Sequence, residues 1–213
     1  MPTPIAHSAV GLAVYLSLPT KFKNALSTRK KVIFVFCAIA LALFPDFDFL
    51  PGIAIGHPGQ FHHGPSHSLV AALFSASCFS LLASQLCTDV PLIKFWPPFA
   101  TASLSHPLLD ALAADRSPPF GIPFLWPFSS TFYISPFPFF GDVARNDSTN
   151  NLFLSSLFSL HNLKVAVVEV CLSIGLIALI LGIQNRKRWS RAMYLSLSAC
   201  SFIIYYNIQV TTY

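Results

Sequence analysis

Apolar residues in this chain come in long runs, not in the two-residue alternation of a half-buried strand. Three runs are long: Leu69 to Cys87, Val165 to Ile183 with Glu169 inside it, and Ala192 to Val210. Three are shorter or interrupted: Ile5 to Leu18, Val32 to Phe44 stopped by Pro45, and Pro98 to Ala114, which carries His106, Pro107 and Asp110. Crossing ~30 Å of hydrocarbon takes about 20 helical residues, and only helices or closed barrels satisfy the backbone there. Barrel alternation is absent. The pattern therefore predicts an all-α polytopic membrane helix bundle of about six segments, four at the fewest. No repeat or soluble boundary divides residues 1–213, which form a single membrane-embedded domain in this reading.

Composition narrows the class. Hydrophobic residues make up 54% of the chain and charged residues only 10%, whereas a soluble domain is about 25% charged. A soluble enzyme, a secreted disulfide scaffold and a disordered chain are all poor fits. The net charge of +5 does not point to nucleic acid, because the basic residues sit in short clusters between apolar runs and not on one solvated face. Cys37, Cys78, Cys87, Cys171 and Cys200 are odd in number, form no CxxC pair and read as small buried hydrophobes. The first ten residues lack a basic n-region and an Ala-x-Ala site, so they are expected to begin the mature chain.

Short loops rich in Lys and Arg prefer the cytoplasm. Lys21, Lys23, Arg29, Lys30 and Lys31 follow the first segment, Lys94 the third, and Arg186, Lys187, Arg188 and Arg191 the fifth, together ten of the thirteen basic residues. Alternation puts these loops on one side of a plasma (inner) membrane. His7, Asp46, Asp48, His57, His62, His63, His67, Asp115 and His161 then fall at the outward ends or loops, with His106 and Asp110 in the outward half of their segment. Hydropathy did not require that convergence, so it is an independent sign of a site.

Asp46 and Asp48 follow thirteen apolar residues that rise only about 20 Å as a helix, so they lie at or below the outer interface. No Lys or Arg stands nearby in sequence, leaving metal, histidine or protonation to offset their desolvation. In the run from His62 to Ser68, Gly64 and Pro65 resemble an N-cap and first helical residue, with His67 in the first turn, where a neutral, metal-binding imidazole is favoured. Ser66 and Ser68 read as caps and not as nucleophiles. His57 and His63 read as bystanders or as donors behind the ligands. His106 and Asp110, four apart, share one helical face beside a Pro107 kink.

Seven N/O donors result: His7, Asp46, Asp48, His62, His67, His106 and Asp110. Four satisfy a tetrahedral Zn²⁺, so seven fit one or two ions with a bridging carboxylate, Zn²⁺ before Mn²⁺. Asp48 or Asp110, where not engaged by metal, is the candidate general base. Glu169 is expected to pair structurally, with Lys164 as one partner. The uncharged Ser117-to-Gly141 region, built of Pro, Phe, Trp126 and Tyr133, reads as an interfacial connector; the sharper alternative is a lid or acyl-chain groove.

Met1 to His7 (MPTPIAH), Phe44 to Pro51 (FPDFDFLP), Phe61 to Leu69 (FHHGPSHSL), Ser105 to Leu112 (SHPLLDAL) and Pro127 to Ser129 together resemble the membrane-bound, metal-dependent hydrolases of the YdjM-like (LexA-regulated) group over about residues 1 to 140. The chain departs from that pattern at His63, where many members carry Arg, and after Leu112, where Ala113 to Pro119 replaces a Thr and a Gly-containing turn. The resemblance implies hydrolysis; the residues alone imply the metal. The combined expectation is a hydrolase acting on an amphiphilic ester or phosphoester of the membrane lipids through metal-activated water. The rivals are a divalent-ion transporter, disfavoured by inward halves without acids or histidines, and a non-catalytic scaffold stapled by metal. The oligomeric state is not legible.

Overall fold

The computed structural model describes residues 1–212, and among them helices and loops carry the fold, with no strand beyond two isolated bridges. The helices are α1 (Pro4–Ser17), α2 (Thr20–Ala25), α3 (Thr28–Leu43), α4 (Phe49–Ala54), α5 (Leu69–Leu86), α6 (Trp96–Ala111), α7 (Asn150–Leu157), α8 (Leu160–Gln184) and α9 (Arg188–Thr212), with short 3-10 turns at Phe44–Asp48, Pro65–His67 and Leu92–Lys94. Three stretches are long and apolar enough to cross a membrane: Thr28–Ala54, Leu69–Leu86 and Leu160–Gln184.

That set differs from the reading of the runs. Pro45 ends α3 as an α-helix, but the path stays helical because Pro45 falls in the first turn of a 3-10 segment, where its missing N–H costs nothing. The weak Val32-to-Phe44 run thus becomes part of a 27-residue helical stretch. The Ala192-to-Val210 run, diluted by Ser, Tyr and Asn207, forms α9 yet is not among the three. α1 and α6, at 14 and 16 residues, rise only about 21 and 24 Å.

α1, α3, α5 and α6 pack together, α8 lies against α1, and α9 covers α8. Small residues make the close contacts: Ala38 and Ala42 on α3, Ala72 and Ala76 on α5, and Ala102 on α6 are essentially inaccessible. Helices associate this way in lipid, where there is no hydrophobic drive between them and backbone approach supplies the packing. Ser75 and Ser103 add a hydrogen bond of 2.9 Å between α5 and α6. The tightest glycine approach between two packed helices is at Gly11, where a Cβ would lie 2.8 Å from both the Ala38 carbonyl oxygen and the Ile39 Cα.

One end of the bundle collects the basic loops. Lys23 and Gln184 both donate to the Leu16 carbonyl, tying the ends of α1 and α8, and Lys30 pairs with Asp89 across the α5–α6 connection, holding that carboxyl below its usual range. Phe34, Phe95 and Phe99 close this end from within. The histidines and the remaining aspartates gather at the other end. Of the cysteines, all unpaired, Cys37 and Cys87 are buried as expected, but Cys78 and Cys200 are exposed on the helix surface.

Gly11→Ala is expected to cost about 1–3 kcal/mol, because backbone cannot step aside. Gly175→Ala meets only side-chain atoms, the nearest 3.3 Å away, and should cost clearly less. Thermal unfolding in detergent compares them; equal shifts would refute the α1–α3 contact as the tightest point.

Candidate metal centre

Four local rules of chain geometry aim the side chains. Thr3 caps α1 by accepting from the Ile5 N–H, and Pro4 follows at the first helical position. That places His7 one turn inside α1. On α6, which runs on through Pro107, His106 and Asp110 share a face. In the 3-10 turn Phe44–Asp48, with three residues per turn, positions two apart diverge by about 240°, so Asp46 and Asp48 point different ways. Ser68 caps α5 through the Ala71 N–H, so His67 precedes the helix in its own 3-10 turn. The expected Gly64/Pro65 start is that short turn, because extended Ser68 (ψ 158°) separates it from α5.

Asp46, His67, His106 and Asp110 meet. The two Nε2 atoms of His67 and His106 are 3.2 Å apart. Asp110 Oδ2 lies 3.0 Å from His106 Nε2 and 3.4 Å from His67 Nε2. Asp46 Oδ1 lies 3.5 and 3.7 Å from the same two atoms. His7 stacks on His106 at 4.0 Å between ring centroids and turns Nε2 toward Asp110 Oδ1 at 3.5 Å. All three histidines are fully buried.

Hydrogen bonding behind the rings fixes which nitrogens face inward. His106 Nδ1 meets the Ala42 carbonyl at 2.6 Å, an acceptor only, so that nitrogen carries the proton. His67 Nδ1 lies 3.2 Å from Asp48 Oδ2 and is held the same way. With neutral rings, two Nε2 lone pairs and two carboxylates then face one point. Neither carboxylate of Asp46 and Asp110, nor either nitrogen of His7, has a hydrogen-bond partner among the described residues. Acceptor facing acceptor in a dry interior is costly unless a cation lies between them. Tetrahedral ligands at Zn–N/O distances of ~2.0–2.1 Å stand about 3.3 Å from one another, and the separations of 3.0 to 3.7 Å match that edge.

Four of the seven sequence candidates, Asp46, His67, His106 and Asp110, thus arrive together, His7 stands at their flank, and two do not join. Asp48 accepts from Ser66 at 2.9 Å and holds His62 Nδ1 at 3.0 Å, so it orients His67 from behind, the outer carboxylate of a carboxylate–histidine–metal arrangement. His62 has its other nitrogen 2.7 Å from the Met1 Sδ. A second group, His62, His63 and His67, also has ring nitrogens close enough for an ion. His63 is held at φ 57°, uncommon outside glycine, and burial, then His62 and His67, pushes its pKa down to about 2. His57 is exposed, and His161 donates to the Asp142 carbonyl away from the cluster.

Glu169 pairs not with Lys164 but with the start of α1. Its carboxylate accepts from the Thr3 N–H at 2.8 Å, the Ala6 N–H at 3.3 Å and the Thr3 hydroxyl. It thereby satisfies N–H groups that a helix start leaves open and sets α1, hence His7, against α8. Asp115 accepts from the Ser117 and Gly121 N–H groups and shapes the Pro/Phe-rich segment. That segment is irregular and exposes Phe128 and Phe137 at 86% and 83%.

Two cavities flank the cluster. One, of about 490 Å³, is lined mainly by apolar residues including Leu43, Phe47, Phe49 and Phe153, and reaches Asp46 and Arg145. The other, about 430 Å³, runs past His62, His63 and Ser117 to Asp147 and is also bordered by Arg145. The alternative of an acyl groove built by the 117–141 region is not met at this cavity, since the region contributes nothing to the apolar cavity and only Ser117, Pro118, Pro119 and Phe132 to the polar one. Sequence reading missed Arg145, Asp142 and Asn162. None carried a local signal, since their contacts span the loop between α6 and α8.

Fold and cluster together define a polytopic helical membrane protein with a buried His/Asp donor set at one end of its bundle. The chain matches the family described as YdjM inner membrane protein over residues 1–210 and belongs to that family. It is 33% identical over 139 residues to inner membrane protein YbcI of Escherichia coli (strain K12), covering 64% of this chain and 73% of that one. No solved structure matches it.

Replacing Glu169 by Ala should strand the Thr3 and Ala6 donors and lower stability by about 1–3 kcal/mol, while Lys164→Ala should change it by less than ~0.5 kcal/mol. Denaturant unfolding of the two variants reads the difference.

Proposed function

We propose that this protein is a metal-dependent hydrolase of the inner membrane, acting on an amphiphilic ester or phosphoester from the outward face. The observation that carries the reading is the convergence of the His67 and His106 Nε2 atoms with the Asp46 and Asp110 carboxylates at 3.0 to 3.7 Å, those carboxylate oxygens having no hydrogen-bond partner among the described residues. When bound, a divalent ion, Zn²⁺ first and Mn²⁺ second, supplies an acidified water and polarises a phosphoryl or carbonyl oxygen. His67, His106, Asp46 and Asp110 would hold it, and His7 would complete the set or begin a second position with Asp110 as the bridge. Asp48 orients His67. Asp46 lines the apolar cavity, so a carboxylate oxygen that it keeps off the ion would be the base best placed to take a proton from water, ahead of Asp48, occupied by Ser66 and His62, and of the enclosed Asp110. The transporter reading is disfavoured by the packed Phe34–Phe95–Phe99 end, which offers an ion no polar path.

Asp46→Ala, His67→Ala, His106→Ala and Asp110→Ala should each strip metal from the purified protein. Asp48→Asn should weaken it by about 10- to 100-fold, and His57→Ala should leave it unchanged. Hydrolysis of short-chain phospholipids or model esters should stop with chelator and return with Zn²⁺ or Mn²⁺. Stoichiometric metal without turnover on a broad lipid panel would replace the enzyme with a metal-stapled scaffold; no metal at all would end the reading.

Outward orientation follows from the basic loops at the opposite end of the bundle. In a background without native cysteines, Arg29→Cys should label only from the cytoplasm and Ser130→Cys only from outside. Labelling of both from one side overturns it.

A further inference from the structure

Arg145 is the one basic side chain that borders both cavities beside the cluster. It lies in the irregular chain between α6 and α7, yet its side chain is only 9% exposed. Asn162, in the first turn of α8, clamps the preceding residue from both sides, accepting from the Ala144 N–H at 2.8 Å and donating to its carbonyl at 2.7 Å. The guanidinium rests over the Phe49 ring at 5.7 Å, and Phe49 in turn stacks on His62. Among the described residues its ion pair is with Asp147, through Nε at 3.0 Å. No hydrogen bond of its two Nη groups is formed among those residues. A cation whose side chain is only 9% exposed, on a clamped backbone, with a fork free of hydrogen bonds among the described residues and at the wall of an apolar cavity, is a placement that costs desolvation and serves anion recognition.

We infer that Arg145 anchors the phosphate of a membrane lipid phosphomonoester, whose acyl chain occupies the apolar cavity beside Asp46. The inference rests on the hydrolase reading for its use but not for its binding. A volume of about 490 Å³ is within the ~300–1,000 Å³ range of small-ligand sites. Leu43, Phe47, Phe153 and Leu157 supply the wall an alkyl chain needs. The choice of phosphate over carboxylate follows from oxygen count. Arg145 and Asp46 line one cavity, and a phosphomonoester has three non-bridging oxygens to divide between the guanidinium and the cluster end of that cavity, whereas a carboxylate has only two in all. Asp147, which neutralises Arg145 in part, is its counter-ion when no lipid is bound.

The test measures equilibrium binding of dioctanoyl phosphatidic acid, dioctanoylglycerol and glycerol 3-phosphate to the detergent-purified full chain, with and without chelator. Phosphatidic acid is expected to bind at least about tenfold more tightly than either comparator. Arg145→Gln should remove most of that preference and leave dioctanoylglycerol binding and bound metal unchanged, with Arg145→Lys recovering part. Should Arg145→Gln fail to fold, the wild-type comparison alone decides. Equal affinity for the charged and uncharged lipids overturns the anchor, and glycerol 3-phosphate binding as tightly as the lipid overturns the acyl pocket in favour of free phosphate esters. Arg145-dependent binding without turnover would sink the hydrolase and keep the anchor. Turnover of phosphatidic acid by Arg145→Gln with an unchanged KM would sink the anchor and keep the hydrolase.

Discussion

Two carboxylates and two imidazole lone pairs share one dry point at the end of this bundle, and that electrostatic demand organises what surrounds it. Asp46, Asp110, His67 and His106 come from three separate stretches of chain, and each backbone must be brought within a few ångströms of the others. The demand is reinforced from behind, since the Ala42 carbonyl and the Asp48 carboxylate take the opposite nitrogens and leave the rings only one inward orientation. A fold that assembles acceptors without a compensating donor does so at a cost in stability. Such groups persist where function needs them, as polar side chains at membrane depth do generally.

The rest of the bundle supplies the closeness. Gly11 lets α1 lie backbone to backbone on α3, and the alanines and serines of α5 and α6 permit the same between those helices. Glu169 finishes the start of α1 from across the bundle, so the helix carrying His7 is set by a side chain of α8 as well as by its own Thr3 cap. The opposite end is closed by aromatic packing and by basic loops tied to one another. Polar chemistry is thereby confined to one end, next to an apolar cavity and a polar one that share Arg145 as a wall.

How far the site was legible depended on the range of the interaction concerned. His106 and Asp110 could be paired from their spacing, because a helix of fixed pitch puts residues four apart on one face. His67 and Asp46 could be nominated because ionisable groups beside long apolar runs need partners. Their near neighbours were harder: Asp48 and His62 carry the same chemistry at the same depth, and only the 3-10 turn, which swings Asp48 behind His67, separates an orienting group from an inward-facing one. Glu169 does pair structurally, but with the start of α1 and not with Lys164, because proximity in sequence says nothing about which helix lies alongside.

By itself the sequence determined the class: long apolar runs force helices in lipid, the low charge excludes a water-facing sphere, and the placement of the basic loops separates the two ends. These are properties of local composition and helical period, and they hold whatever the tertiary arrangement. Only the tertiary structure decided that Val32 to Phe44 continues as one helical path to Ala54, that Phe and Pro residues from 117 to 141 do not build the apolar cavity, and that Arg145 stands at its wall. The first outcome turns on the backbone that Pro45 adopts, a 3-10 turn where its missing N–H costs nothing; the others rest on contacts between distant parts of the chain, set by how closely small side chains let backbones approach, and no local pattern encodes that distance.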